Sequence, residues 1–499
     1  MSDVFFRAEI TGDRIKTTGS PCCALGHELP MGKSGCPDGV FAKWSWEADR
    51  FCIQNDRYGY YPLFYFAGPR ELSVSPSIPK LLELGAPRDY DDTALAVFLR
   101  LGYFLGEDTP FRFIRAVPAN ATFEWAGGRL QVSGHQYLAE PIRVNRQQAV
   151  DGYISLFRQA IQRRLIPNED FAVPLSGGGD SRHILLELCR IGHRPKFCAT
   201  FRHFPPRNNS DPECAAKLCA RAGVPHIVLD QPCSKLKPEL RKNLKTSFCA
   251  DEHTQYMVLA DYLKNKVRAV YDGLGSSAFK SSYLTPRWLE SFRRLTSTDF
   301  AREILHPSSE PVLKNLLSAE GYKRFGQEAA IARLAPELER LSQVPDPPGT
   351  FSSWNWTRRE ISLAPYAIYE DIPWVLSPYL DHDLFDFMMS LPADLLVDRS
   401  LQIEAIGKEY PQYADLPYET HSPIPFSFSH YQRYARELLE YAALKGPCRL
   451  IRRSYLFPRL FRCLVEGDYL RSAAPWLLTP VVAYLIQLDR ATEGNATEF

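Results

Sequence analysis

Along residues 1–142 apolar positions tend to recur at every second place. Gly39-Val40-Phe41-Ala42-Lys43-Trp44-Ser45-Trp46 alternates in this way, as does Arg50-Phe51-Cys52-Ile53-Gln54-Asn55, with a turn and another strand across Asp56 to Tyr65. Such alternation predicts many short strands joined by turns. A polar link near Glu140 to Gln148 then changes the period. Val150, Ile154, Phe157, Ile161 and Leu165 fall on one side of a predicted helix, which Pro167-Asn168 stops. From there short apolar runs and helical patterns take turns. Strands are expected at Phe171–Leu175, Lys196–Phe201, His226–Leu229 and Val267–Asp272. The intervening helices carry Ile184, Leu185, Leu188 and Ile191, or begin at a cap formed by Asp211-Pro212 and end at Gly223. Strands alternating with helices imply a doubly wound parallel sheet, with ligands at the carboxyl ends of its strands. Beyond Phe428 the chain is basic, aromatic and helix-patterned, and Arg449, Arg452, Arg453, Arg459 and Arg462 read as a solvated face.

Length turns this pattern into at least two domains, since 499 residues exceed one ordinary core. The expected division is 1–142, 143–430 and a helical extension at 431–499. Charge is nearly balanced, 59 basic against 58 acidic residues, which argues against a nucleic-acid footprint or a polybasic membrane surface. The longest apolar run, near Trp476 to Leu488, is short for a membrane span and contains Pro480. The opening MSDVFFRAEITGDR does not have the form of a secretion signal, so the twelve cysteines are expected as reduced thiols of a cytoplasmic protein. Gly32-Lys33-Ser34 reads as a surface turn, because Gly26 lies five rather than four residues upstream.

The chemistry concentrates between Phe171 and Arg190. A strand runs straight into Ser176-Gly177-Gly178-Gly179-Asp180-Ser181 and then into a helix. Glycines let backbone amides approach a ligand and permit positive φ, while the helix start offers unpaired N–H groups and the positive end of its dipole. Such a loop suits a phosphate. No Lys-Ser or Lys-Thr follows, so it is not a Walker A loop.

The order Ser-Gly-Gly-x-Asp-Ser resembles the pyrophosphate-binding loop of ATP pyrophosphatases, which split ATP between its α and β phosphates. Asp56-Arg57-Tyr58-Gly59-Tyr60-Tyr61-Pro62-Leu63-Phe64-Tyr65 is similar to a stretch of the glutaminase domain of asparagine synthetases. Ser377-Pro378-Tyr379-Leu380-Asp381 and Ser390-Leu391-Pro392 resemble further parts of that family. The resemblance covers roughly residues 30–420 and implies an α/β protein: an N-terminal αββα sandwich of the Ntn glutaminase type, then the ATP pyrophosphatase domain. It implies ATP and Mg2+ as ligands. Asp180 would hold metal, joined by Asp272, and Leu175, Ser176, Gly177, Gly178, Gly179, Asp180, Ser181, Thr200, Asp272 and Gly273 would line the nucleotide, with Ala199 and Phe201 beside the adenine.

Departures from the family pattern are specific. Ser2 stands where hydrolysing members expose a catalytic cysteine, and a serine alcohol is a far weaker nucleophile. In the second motif, Asp272-Gly273-Leu274-Gly275-Ser276-Ser277-Ala278, Leu274 occupies the place of a Glu near the reacting acid and Ser277 that of a metal-side Asp. The family lysine would fall near Ser400, where the neighbouring cation is Arg399, the second candidate catalytic residue beside Asp180. The expected activity is that of an ATP-dependent, AMP-forming carbon–nitrogen ligase. It would join a small-molecule or peptide carboxylate to an amine or ammonia without hydrolysing glutamine, as in the β-lactam synthetase and lasso-peptide cyclase branches. The alternative is an impaired relative that binds a nucleotide or partner. No nucleic acid or membrane partner is expected, and a homodimer is left open.

Overall fold

The computed structural model describes all residues except 1–3, 31–35, 168, 208, 277–285, 306–309, 398–399, 421–424, 446–447 and 495–499. The Gly32-Lys33-Ser34 turn and Ser2 lie outside the described residues.

The alternating region forms ten strands: β1 (Phe6–Thr11), β2 (Arg14–Gly19), β3 (Cys22–Leu29), β4 (Asp38–Glu47), β5 (Arg50–Asn55), β6 (Phe64–Gly68), β7 (Glu71–Ser75), β8 (Ile114–Ala116), β9 (Thr122–Ala126) and β10 (Arg129–Ser133). They make two antiparallel sheets, in the orders β2-β1-β7-β6-β8 and β10-β9-β5-β4-β3. Because strand side chains alternate, each sheet turns an apolar face toward the other, and these faces meet. Phe6, Leu72 and Val74 of one sheet pack on Trp44, Phe51, Phe123 and Trp125 of the other. The Phe6 and Phe51 rings stack with centroids 4.5 Å apart.

Helices Ile78–Glu83 and Asp92–Leu101 cover the outer face of the first sheet through Ile78, Leu81 and Leu95 against Phe64 and Phe66. The second sheet differs from the expected sandwich. Much of its outer face carries exposed Arg50, Gln54, Thr122 and Gln131, which have nothing apolar to bury, so no second helical layer covers them among the described residues. At its β3 end the sheet abuts the rest of the chain, with the His27 and Trp374 rings 5.8 Å apart.

The alternating strands and helices form the second unit: β11 (Phe171–Pro174), β12 (Phe197–Phe201), β13 (His226–Leu229), β14 (Ala269–Tyr271) and β15 (Trp374–Leu376). All are parallel, in the order β13-β12-β11-β14-β15. The chain runs outward from β11 to β13, then returns to β14 on the other side of β11. That reversal opens a crevice at the carboxyl ends of β11 and β14. The helix before β11 runs Arg146–Arg163, with a capping box between Asn145 and Gln148. It buries Val150, Ile154, Phe157 and Ile161, whereas Leu165 lies past its end and is exposed.

Between β14 and β15 the chain is largely helical, including Gln327–Arg340 and two segments wound as π-helices, Ser352–Ile361 and Ala364–Ile368. The helices Phe428–Leu444, Arg453–Val465, Gly467–Leu477 and Pro480–Thr492 share one core with Asp92–Leu101 and Leu236–Lys245. Among the described residues no helix is long and apolar enough to cross a membrane.

Candidate active site

At the crevice lies a cavity of about 340 Å³, lined by the glycine loop, the ends of β12 and β14, and the π-helical segments. Leu175, Ser176, Asp180, Ser181, Thr200, Asp272 and Gly273 all line it. Gly177, Gly178 and Gly179 complete the loop between them. Arg399, Ser277 and Ala278 lie outside the described residues.

The loop glycines act differently from the sequence expectation. None of the three has positive φ; Gly179 sits at −84° as the helix N-cap. Close approach explains Gly177 instead: a Cβ there would lie 2.9 Å from the Glu419 Cβ and 3.2 Å from the Asp211 Cα. Positive φ is required at Gly275, at +94°, where a Cβ would also meet Leu380 at 2.5 Å. The N-cap of the helix Asp180–Arg190 is Gly179, which has no side chain to cap it, so the helix begins directly at the loop with the positive end of its dipole there. The two serines brace the loop from within. The Ser176 N–H donates to the Ser181 Oγ at 3.1 Å, and the Gly178 N–H to the Ser176 Oγ at 3.2 Å.

On the β12 side, the Thr200 hydroxyl donates to the Leu175 carbonyl at 2.5 Å and meets the His226 Nε2 at 2.9 Å. His226 is thus a packed, hydrogen-bonded residue. Asp211 is the main correction to this region. The helix starts at Ser210 with Asn209 as its N-cap, so Asp211 lies within the first turn and its carboxylate is free to reach the loop. Asp211 Oδ1 accepts the Gly177 N–H at 2.5 Å and Oδ2 meets the His203 Nε2 at 3.0 Å. Burial would raise this carboxyl, but the bonds from His203 and Gly177 outweigh it and hold it below the usual carboxylate range.

On the β14 side, burial pushes Asp272 up to about 6, although its carboxylate accepts the Leu274 N–H at 2.8 Å. Asp180 and Asp272 leave adjacent strand ends: a Cβ on Gly273 would lie 3.2 Å from that of Asp180. Among the described residues no group of three or more His, Cys, Asp or Glu could by itself hold a metal ion. A triphosphate-bound Mg2+ asks less, one or two carboxylates with phosphate and water oxygens completing six, and the pair Asp180 and Asp272 fits that need.

Sequence reasoning missed Gln402. The helix Ser400–Glu409 delivers its amide to the Asp180 Oδ1 at 2.9 Å and to the Tyr379 hydroxyl at 2.9 Å, and that hydroxyl donates to the Asp180 carbonyl at 3.2 Å. From the described part of this stretch the loop therefore meets a neutral amide. Glu419 was missed too; its N–H donates to the Gly177 carbonyl at 2.9 Å, and its carboxylate stands 3.6 Å from Arg207. Neither residue lies in a motif, because each reaches the loop from more than two hundred residues away.

The rest of the cavity wall is Trp356, Ile361, Ala364 and Pro365 together with Leu274 and Tyr256. The antiparallel unit holds this wall from behind. Arg358, buried, donates to the Val117 carbonyl at 3.0 Å and to Glu107 at 3.2 Å, and Arg359 to the Asp108 carbonyl at 2.7 Å.

Residues 152–366 match the family model of asparagine synthase, and over that span the chain is similar to that family. A search of curated proteins returned no match.

Proposed function

We propose, from the premise of an asparagine synthase domain at residues 152–366, that this protein is an ATP-dependent ligase that makes an amide by adenylating a carboxylate. The family as a whole suggests ATP-dependent amide ligation; the AMP-forming step is our reading of the site. One observation carries it. A glycine loop, an uncapped helix start and two carboxylates, Asp180 and Asp272, converge on one cavity at the switch point of a parallel sheet. The loop amides would receive the phosphates, and Leu175, Ala199, Thr200 and Phe201 would flank the adenine. Asp180 and Asp272 would hold Mg2+, whose charge would offset that of the leaving pyrophosphate. The amine or ammonia would then displace AMP from the activated acid.

Glutamine is not the nitrogen source in this reading. Aromatic side chains, among them Phe51, Phe123 and Trp125, fill the space between the two antiparallel sheets. That unit's contribution is instead to brace Arg358 and Arg359 behind the cavity. A cytoplasmic setting, with the twelve cysteines as reduced thiols, is part of the same reading.

The test is pyrophosphate release, or ATP–pyrophosphate exchange, with candidate acids. Asp180→Ala should abolish it while the thermal transition stays in place, because the side chain is half-buried at a loop and not in a core. Unchanged turnover in that variant would defeat the reading. Labelled glutamine should give no glutamate above background.

A second reading, binding without turnover, is favoured by Gln402, which meets Asp180 with an uncharged amide, and by Leu274 where the family resemblance implies an acid. Tight ATP binding with no AMP formed for any acid would select it.

A further inference from the structure

Resting on the ligase reading, we propose that the acid it activates is an apolar monocarboxylic acid, an aryl or branched aliphatic chain, and not an amino-dicarboxylic acid. The cavity has two unlike walls. One, from the ends of β11 and β12, belongs to the nucleotide; the other combines Leu274 of the β14 loop with Trp356, Ile361, Ala364 and Pro365. Leu274 is 3% exposed, lines the cavity and lies two residues past Asp272, the carboxylate that the ligase reading assigns to the metal. A substrate tail entering there meets hydrocarbon and an indole.

Charge excludes the dicarboxylic alternative. Asp180, Asp211, Asp272, Glu252 and Glu419 all line the cavity. Arg207 is the one Lys or Arg among the described lining residues, and Glu419 stands 3.6 Å from it. A second carboxylate on the substrate would be desolvated with Arg207 as the one Lys or Arg among the described lining residues to receive it, and that guanidinium already faces Glu419. The single reacting carboxylate escapes this penalty because its charge is consumed. One of its oxygens bonds to the α-phosphorus of ATP, the α–β phosphoanhydride bond breaks, and pyrophosphate leaves with the electron pair. The amine nitrogen then bonds to the acyl carbon, AMP departs, and the amine proton goes to solvent. An apolar pocket discriminates chain length weakly, so a range of tails should be accepted.

ATP–pyrophosphate exchange reads acid activation without any amine. With the full chain, 4-phenylbutyrate and 4-methylpentanoate should support exchange at least tenfold faster than aspartate or glutamate. The same apolar acids should change the tryptophan fluorescence, and Trp356→Phe should remove that change. Ile361→Ser, at a half-buried wall position, should weaken the apolar acids at least fivefold in KM and leave the Kd of ATP within twofold; Leu274→Glu should do the same if it folds, as judged by its thermal transition. Faster exchange with aspartate or glutamate overturns the inference and leaves the ligase reading standing. No exchange with any acid, but apolar acids binding to the ATP-loaded protein, supports the substrate class and defeats the ligase reading. Failure of apolar acids to bind at all overturns the inference, and failure of ATP to bind overturns both.

Discussion

At Gly177 a single missing methyl group decides whether the loop can close. Gly177→Ala would drive a Cβ to 2.9 Å from the side chain of Glu419 and 3.2 Å from the backbone of Asp211, whereas Gly179→Ala meets its nearest neighbour, the Gln402 amide, at 3.4 Å. The first variant should lose ATP affinity at least tenfold and the second much less, which calorimetric titration will measure. Asp272 predicts a pH dependence. Burial raises its carboxyl to about 6, so the ionised form that a cation needs is present above pH 6 and is lost as pH falls through that value. Mg2+-dependent ATP binding should therefore weaken between pH 7 and 5. ATP protonation contributes to any such trend, so the diagnostic quantity is the difference from Asp272→Asn. That variant should bind more weakly at pH 8 and lose part of the pH dependence; identical profiles would remove Asp272 from the metal site.

The elements that build the cavity wall carry their own costs. Asp346 caps the short helix Pro347–Phe351 that leads into the π-helical stretch, its Oδ1 accepting the Gly349 N–H at 3.0 Å, while its Oδ2 is buried with no hydrogen-bond partner among the described residues. Burial pushes this carboxyl up to about 7. The folded state thus holds the proton more tightly than the unfolded chain, whose carboxyl titrates near 4, and stability falls as pH rises from about 4 through 7. Asp346→Asn should keep the cap and remove the buried charge, stabilising the protein by about 1–2 kcal/mol at pH 8 and by little at pH 4. Denaturant unfolding at the two pH values would measure this. A loss of stability at pH 8 would mean that Oδ2 accepts a hydrogen bond that the NH2 group of Asn in its place cannot accept.

At the scale of the whole molecule, the antiparallel unit acts through the wall it supports. Arg358 ties the segment Ser352–Ile361 to Val117 and Glu107, so Arg358→Ala leaves buried acceptors unpaired and should cost about 2–4 kcal/mol. It should raise KM for the acid more than KM for ATP, because the acid wall and not the glycine loop loses its support; an equal rise in both would argue for general unfolding. Much of this architecture was legible from pattern. Period-two alternation determined the strand-rich first unit, strand–helix alternation determined the parallel sheet, and Ser176 to Ser181 marked the loop, because periodicity and turn chemistry act between near neighbours in sequence. The third dimension decided the rest. Asp211, read as a helix cap, became a loop ligand through a shift of the helix start, and Gln402 and Glu419 came to the loop from the far end of the chain. The second outer helical layer did not form, since polar Gln54, Thr122 and Gln131 give a helix nothing to bury. Hydrogen bonds and burial depend on distance in space, and no local pattern encodes which distant side chain a loop will meet.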